Sequence, residues 1–410
     1  MDSAEPFLPR SARWLAFGSA AAIPIGIAPS QILLGLALAA LLASGERLRV
    51  PRIRLPLGLF LLGTVVSLLL SDNPAAGLPQ IRKFYVFLEL VVVFSLLRSL
   101  GMVRNLFLAW AGIGALTAVR GCMQFAAKVE EAHRLGRNFY EFYVGERITG
   151  FTSHWNTYSA EEMFALVMLV AFMFFGPAVG KRVWVWIACS ALVALAIVLG
   201  ETRGIWIAVA SALLYLVWFW RRWLVVVMPV AAVAAFFLAP AAIQDRATSI
   251  FQPSGADSNQ FRVVTWRTGL RMVERHPWFG LGPERPKAHF DEYVPADIPR
   301  PLPSGWYGHL HNIYLHYAAE RGIPTMLILV WMLVQILVDF GRGVRALPPG
   351  RGLRRFLLHG GIAAVIAVMV EGCVELNLGD SEVLAMFLVV VAAGYLALED
   401  DLAVADGARV

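Results

Sequence analysis

The sequence predicts an all-α polytopic membrane protein, with about twelve transmembrane helices and one large, partly helical loop on the outer side. Three observations predict it. Of 410 residues, 58% are hydrophobic and only 16% are charged, and the mean hydropathy is +0.65, outside the range of soluble globular chains. The apolar residues fall in runs close to the length, about 20 residues, that a helix needs to cross a bilayer core. Lys and Arg are distributed among the connecting segments with a bias that selects one orientation.

The runs lie at 13–29, 30–44, 56–71, 84–98, 103–127, 158–176, 182–200, 203–220, 223–240, 323–341, 355–374 and 381–398. The first follows Arg10 and Arg13 and reads as an uncleaved signal-anchor. The first two are short, and Pro24 and Pro29 make them either two spans or a broken pair. With the N-terminus inside, the segments 1–13, 45–54, 98–104, 177–183, 221–222, 342–355 and 399–410 all fall on the inner side. They hold 18 of the 35 Lys and Arg, as the positive-inside rule requires. Both termini are then cytoplasmic. Residues 1–240 carry the first nine spans, 241–322 form the large outer loop, and 323–410 carry the last three spans and an inner tail.

Two long segments fall outside, about 128–157 and 241–322. They contain seven of the eight histidines: His133, His154, His276, His289, His309, His311 and His316. Loops longer than about 15 residues in a compact chain are usually functional or disordered, and the richness of these in Trp, Tyr and Phe argues against disorder. Within the second, 260–276 reads as an amphipathic helix. Val263, Trp266, Leu270 and Val273 recur at helical spacing, Arg267, Arg271 and Arg275 form a row on another side, and Pro277 stops the run. Such a helix either lies in the headgroup interface or packs on the outer ends of the spans with its arginines solvated.

Several function classes are excluded. The arginines are dispersed between apolar runs and form no basic domain, so no nucleic-acid partner is expected. Cys122, Cys189 and Cys373 form neither a CxxC nor a paired framework. No HExxH, no outer DxD and no GxSxG occurs, and His311 and His316 are five apart, the wrong spacing for one helix face. No metal and no cofactor is expected.

The chemistry-bearing candidates lie at the outer ends of the runs. Arg82 and Lys83 precede the fourth, and Glu201-Thr202-Arg203-Gly204 joins the seventh to the eighth. Each cation is either a headgroup anchor or a diphosphate ligand; a guanidinium held by a tight turn suits diphosphate oxygens bidentately. Arg120 lies within the fifth run, where an ionisable group is expensive and marks either function or a buried carboxylate partner. Glu371 and Glu375 share a helix face at i, i+4, with Asp380 and Glu382 beyond, either countering arginines or binding sugar hydroxyls. His311, with Asn312 beside it, opens the helix that becomes the tenth span, opposite the outer arginines. It is the best-placed general base, with His309 its closest rival. Asn312, His309, Arg262, Arg267 and Glu201 are candidates for substrate contact or support.

One pattern ties these residues to a family. His311-Asn312, nine residues, Gly322, two residues and Thr325 fit the H-[NSQ]-x9-G-x-x-[GTY] motif, which resembles that of the bacterial O-antigen ligases. The turn Glu201–Gly204 is similar to the arginine–glycine turn of the same family, and Arg262, Trp266 and His276-Pro-Trp-Phe-Gly-Leu-Gly resemble the first half of its large loop. The resemblance covers about 150–340 closely and the whole chain in topology. It implies a multi-pass glycosyltransferase of the bacterial inner membrane with its site facing the periplasm. The donor would be an O-antigen glycan on undecaprenyl diphosphate, the acceptor the lipid A–core of lipopolysaccharide, and the solvent membrane lipid. A diphosphate leaves as an anion and needs fixed cations, for which Arg203, Arg82 and Lys83 are the candidates. The incoming hydroxyl needs a base, His311. One displacement inverts the anomeric carbon without a metal. An O-antigen polymerase or a protein O-oligosaccharyltransferase would share the donor. A lipid-linked sugar transporter would instead place charges at midplane and show a repeat, which the sequence lacks.

Overall fold

The computed structural model describes residues 7–178, 180–239, 241–248, 259–303 and 305–399. The first six residues, part of the large loop at 249–258 and the tail at 400–410 lie outside them. The helices, in order, are α1 (Phe7–Ala22), α2 (Ile27–Ala43), α3 (Arg54–Leu69), α4 (Pro74–Arg82), α5 (Leu88–Leu96), α6 (Leu100–Arg134), α7 (Phe139–Gly145), α8 (Trp155–Phe175) and α9 (Val183–Leu199). There follow α10 (Arg203–Arg221), α11 (Leu224–Leu238), α12 (Ala241–Thr248), α13 (Asn259–Arg275), α14 (Arg285–Ala288), α15 (Phe290–Tyr293), α16 (Ile313–Ala346), α17 (Leu353–Glu371) and α18 (Ser381–Leu396). No strand occurs among the described residues.

A helix lies on each of the twelve apolar runs, but they differ in length. Six are long and apolar enough to cross a membrane: Leu100–Arg134, Trp155–Phe175, Gly180–Leu199, Arg203–Arg221, Ile313–Ala346 and Leu353–Glu371. Four more, α2, α3, α11 and α18, are apolar but shorter. The run at 84–98 is the most broken: a 3-10 turn, Lys83–Phe87, leads into the nine-residue α5, which at 1.5 Å per residue spans roughly 14 Å. Pro24 likewise sits in a 3-10 turn, Ile23–Ile25, that separates α1 from α2.

Burial separates the centre from the rim. Every residue of α18 from Val383 to Leu396 is buried, as is nearly all of α8, so these helices, apolar all round, form the middle of the bundle. α17 packs against α8, α10, α16 and α18. By contrast α11 buries no residue and packs on α10 and α12 alone among elements with substantial contact.

Two local features carry the site. The first is a break in α16. Gly322 has φ 83°, and a Cβ there would lie 2.0 Å from the Trp278 carbonyl oxygen, so only glycine lets the 276–283 connector close onto the helix. Ile323 N–H donates to Pro277 O at 2.8 Å across the same contact. The second is the seam between the start of α16 and the end of α17. Ile313 N–H donates to Gly372 O (2.8 Å), Asn312 Nδ2 to Cys373 O (2.9 Å) and the Tyr314 hydroxyl to Met369 O (2.9 Å).

The structure bears on three expectations and overturns the last. Helix 260–276 is present, but its buried face is Phe261, Val264, Thr265, Thr268 and Met272; Val263 and Leu270 are exposed. The helix packs on α15 and on the first part of α16, and burying two threonines there turned the apolar stripe outward. Arg120 does not meet a buried carboxylate: its Nε donates to Gly150 O at 2.7 Å and its guanidinium lies over Phe151. Glu371 and Glu375 do not share a helix face, because α17 ends at Glu371 and Glu375 follows in a turn.

Candidate functional site

The seam opens onto a cavity of about 880 Å³. Its walls come from the loop before α16, the starts of α8, α10 and α13, the turn after α17, and the ends of the 128–157 and 241–322 segments. Of the residues expected from sequence, Lys83, Arg203, Arg262, His309, His311, Glu371, Glu375 and Asp380 line it. Arg82 is exposed and does not. Arg267 is also outside, pairing with Asp297 at 2.8 and 3.0 Å. Asn312 is a cap: its Oδ1 accepts from Leu315 N–H at 2.9 Å. Glu201 is fully buried behind the wall.

Three guanidiniums gather on the cavity wall, those of Arg147, Arg203 and Arg246. The turn that carries Arg203 is strained, with Glu201 at φ 48°. It is pressed against the segment after α17, for a Cβ on Gly204 would lie 2.9 Å from Val374. Thr202 fixes it further, its hydroxyl 3.2 Å from that of Ser159. Arg246 Nε donates to Glu201 O (3.1 Å) and lies 3.9 Å from its carboxylate. Burial pushes the Glu201 carboxyl up to about 7, against the pull of Arg246 and Arg147. Burial pulls Arg147 down to about 9, and the neighbouring charge of Arg246 adds to this. Arg147 also lies 5.1 Å over the Trp155 ring. Lys83 also lines the cavity, its Nζ donating to Gly379 O at 3.0 Å.

His311 lines the same cavity, buried and itself strained at φ 48°. A non-glycine residue in that region costs about 1–3 kcal/mol and persists only where its surroundings over-determine it. They do here. The backbone N–H of His311 donates to His309 Nδ1 (3.1 Å), Trp266 Nε1 donates to His311 O (3.3 Å), and the Phe261 ring meets the imidazole edge-on. His311 Nδ1 lies 3.2 Å from Glu375 Oε2, and Nε2 lies 3.1 Å from Trp306 O.

Glu375 is the hub. Its Oε1 is 3.2 Å from His309 Nε2 and accepts the Leu376 N–H at 3.0 Å; its Oε2 accepts from Asn156 Nδ2 at 3.2 Å, and Arg262 is 3.8 Å away. Burial pushes this carboxyl up, but the hydrogen bond and charge of His311, with His309 and Arg262, outweigh it and hold it at about 2. Burial pulls His309 down to about 3, against the Glu375 charge, so its ring is neutral.

His309, His311 and Glu375 each offer an atom within 4.8 Å of the others, a spacing that could suit a metal ion. The hydrogen bonds argue against one. Because His309 Nδ1 accepts from the His311 backbone, the neutral ring carries its proton on Nε2, which then has no lone pair for a cation and donates to Glu375 instead. The guanidinium of Arg262 beside the carboxylate opposes a cation further.

Sequence reasoning did not single out Arg147, Arg246, His154 or Trp306. The two arginines sit in polar segments, where a charge usually means solvent, and only their burial marks them. The outer location of His154 and Trp306 was the sole available signal.

Residues 188–330 match the sequence model of a family described as O-antigen ligase. No curated protein matches the chain.

Proposed function

We propose, from the match of residues 188–330 to the family described as O-antigen ligase, that this chain transfers a glycan from undecaprenyl diphosphate to the lipid A–core oligosaccharide, completing lipopolysaccharide. The observation that carries the proposal is the sharing of one cavity by His311 and the three guanidiniums. A general base and an anion site on one cavity are what a single displacement needs.

The steps follow from the residues. The donor diphosphate lies against Arg203, with Arg147, Arg246 and Lys83 stabilising the charge that grows as it leaves. The acceptor hydroxyl approaches from the His311 side and gives its proton to the imidazole as its oxygen bonds to the anomeric carbon. The bond from that carbon to the diphosphate oxygen breaks, and the electron pair leaves with the undecaprenyl diphosphate. Attack opposite the leaving group inverts the centre. The leaving group is already a stable anion, so no general acid is needed, and the guanidiniums supply the positive charge it requires. The reading places the cavity on the periplasmic side of the inner membrane, where both lipids present their sugars.

The test is transfer in vitro from undecaprenyl-diphosphate-linked glycan to purified core lipid, with a chelator present. Wild-type protein should ligate, and His311→Ala should lose ligation by about 10²-fold or more while still inserting. Wild-type rates from that variant would remove His311 as the base. Activity lost in chelator and restored by a divalent ion would overturn the metal-free reaction. Glycan growth on the donor, with core lipid left unmodified, would reassign the enzyme as a polymerase.

A further inference from the structure

We infer that Glu375 is the positioning residue of the transfer: it takes the Nδ1 proton of His311 in a hydrogen bond and so directs the reactive lone pair of Nε2 at the acceptor hydroxyl. The inference rests on the reading of His311 as the base. It names a residue that neither the spacing of the histidine motif nor the family match reaches, since Glu375 lies 64 positions beyond His311 and outside 188–330.

The argument is one of donors and acceptors. Both ring nitrogens of His311 face oxygen: the Glu375 carboxylate at Nδ1 and the Trp306 carbonyl at Nε2. A neutral imidazole has one proton and can donate to only one of them. The carboxylate is the stronger acceptor, because a charge-assisted hydrogen bond is roughly twice as strong as a neutral one. The proton therefore belongs on Nδ1, and Nε2 keeps its lone pair. The Trp306 carbonyl occupies the spot 3.1 Å from Nε2 where an acceptor hydroxyl would sit, so the substrate takes the place of that carbonyl. When the hydroxyl proton moves to Nε2, the ring becomes a cation, and the carboxylate already bonded at Nδ1 stabilises it.

Two further observations fit this role. The groups facing Glu375 are His309 from the loop before α16, Arg262 from α13 and Asn156 from α8, with the His154 ring and the Glu371 carboxyl nearby. His311, His309 and Arg262 keep the carboxylate ionised against its burial and the neighbouring Glu371 carboxyl, and with Asn156 they fix both of its oxygens, so it cannot rotate away from His311. Second, Glu375 is not what holds its segment to the loop. The backbone bond from Ile313 to Gly372, the Asn312 cap onto Cys373 and the Tyr314 hydroxyl on Met369 already do so.

The experiment uses full-length protein purified in detergent and the in-vitro transfer assay, with thermal unfolding measured for each variant. Glu375→Gln should lower kcat by roughly 10²–10⁴-fold, the scale seen when the carboxylate behind a catalytic histidine is neutralised. KM for both substrates should stay within about threefold. Glu375→Asp, which keeps the charge on a shorter arm, should recover part of kcat and serves equally if the Gln variant does not fold. In a His311→Ala background, measured with enzyme in excess, Glu375→Gln should slow the residual rate no further, since residues acting as a unit are non-additive. A Glu375→Gln enzyme with wild-type kcat, a loss confined to KM, or independent losses that multiply in the double variant would each overturn the inference. Full activity in His311→Ala alone would instead strike the base assignment.

Discussion

At the scale of single residues, the site divides into groups that announce themselves in sequence and groups that do not. Arg203 was legible because it interrupts two apolar runs with almost nothing between them, so its charge had to sit at their ends. His311 was legible because polar residues open the helix it precedes. Arg147 and Arg246 were not, since one-dimensional context cannot separate a buried arginine from a solvated one. If Arg203 grips the donor, Arg203→Ala should raise the donor KM by about tenfold or more and leave the acceptor KM alone; unchanged donor affinity and turnover would exclude the role. His309 makes a separate prediction about pH. Its folded value, about 3, lies below the ordinary 6.5, so between these limits the unfolded chain binds a proton that the folded chain does not. Its contribution therefore costs stability as pH falls from about 6.5 towards 3. The unfolding temperature of the wild type should drop over that window, and His309→Gln should flatten the drop. An identical slope in both proteins would show that His309 is not buried neutral.

Elements were easier to place than to orient. A helix lies on each of the twelve apolar runs, and six of these are long and apolar enough to cross a membrane, because apolar runs report where the chain buries itself. The face a helix buries inside a polar loop is another matter. For α13 the stripe Val263–Val273 was open to either lipid or protein, and the face that packs on protein carries the buried Thr265 and Thr268, Thr265 with its hydroxyl donating back to Arg262 O at 2.9 Å. A threonine that satisfies its own hydroxyl can pack like an apolar residue, and no periodicity count sees this. The motif glycine has a plainer reason. Gly322 is where α16 breaks so that the connector carrying Trp278 can close on it, and this break sets the angle at which the His311 end leaves the bundle. Gly322→Ala would place a Cβ at φ 83° and 2.0 Å from a carbonyl oxygen. It should cost roughly 2 kcal/mol or more of stability and reduce transfer with it. Thermal unfolding like that of the wild type would show that the break tolerates a side chain.

At the scale of the whole molecule, the cavity gathers Lys83, Arg147, Arg203, Arg246, His311 and Glu375, nearly 300 positions of chain, at one end of the bundle. That convergence is what sequence could not supply: each segment looked like an ordinary loop end, and only the packing of α8, α10, α16 and α17 brings them together. The proposed reaction then requires this end to face the periplasm, and the protein carries its own reporter. Cys373 is exposed, in the turn that joins the seam to Glu375, and Asn312 Nδ2 bonds its carbonyl. Burial raises its thiol above the ordinary value, so labelling calls for mildly alkaline buffer. With Cys122 and Cys189 replaced by alanine, a membrane-impermeant maleimide should modify Cys373 in intact spheroplasts, and bound donor lipid should slow the reaction. Labelling only after lysis would put the cavity on the cytoplasmic side. There the proposed acceptor, the assembled core oligosaccharide on the outer leaflet, could not reach it, and the orientation inferred from the Lys and Arg bias would fall with the reaction.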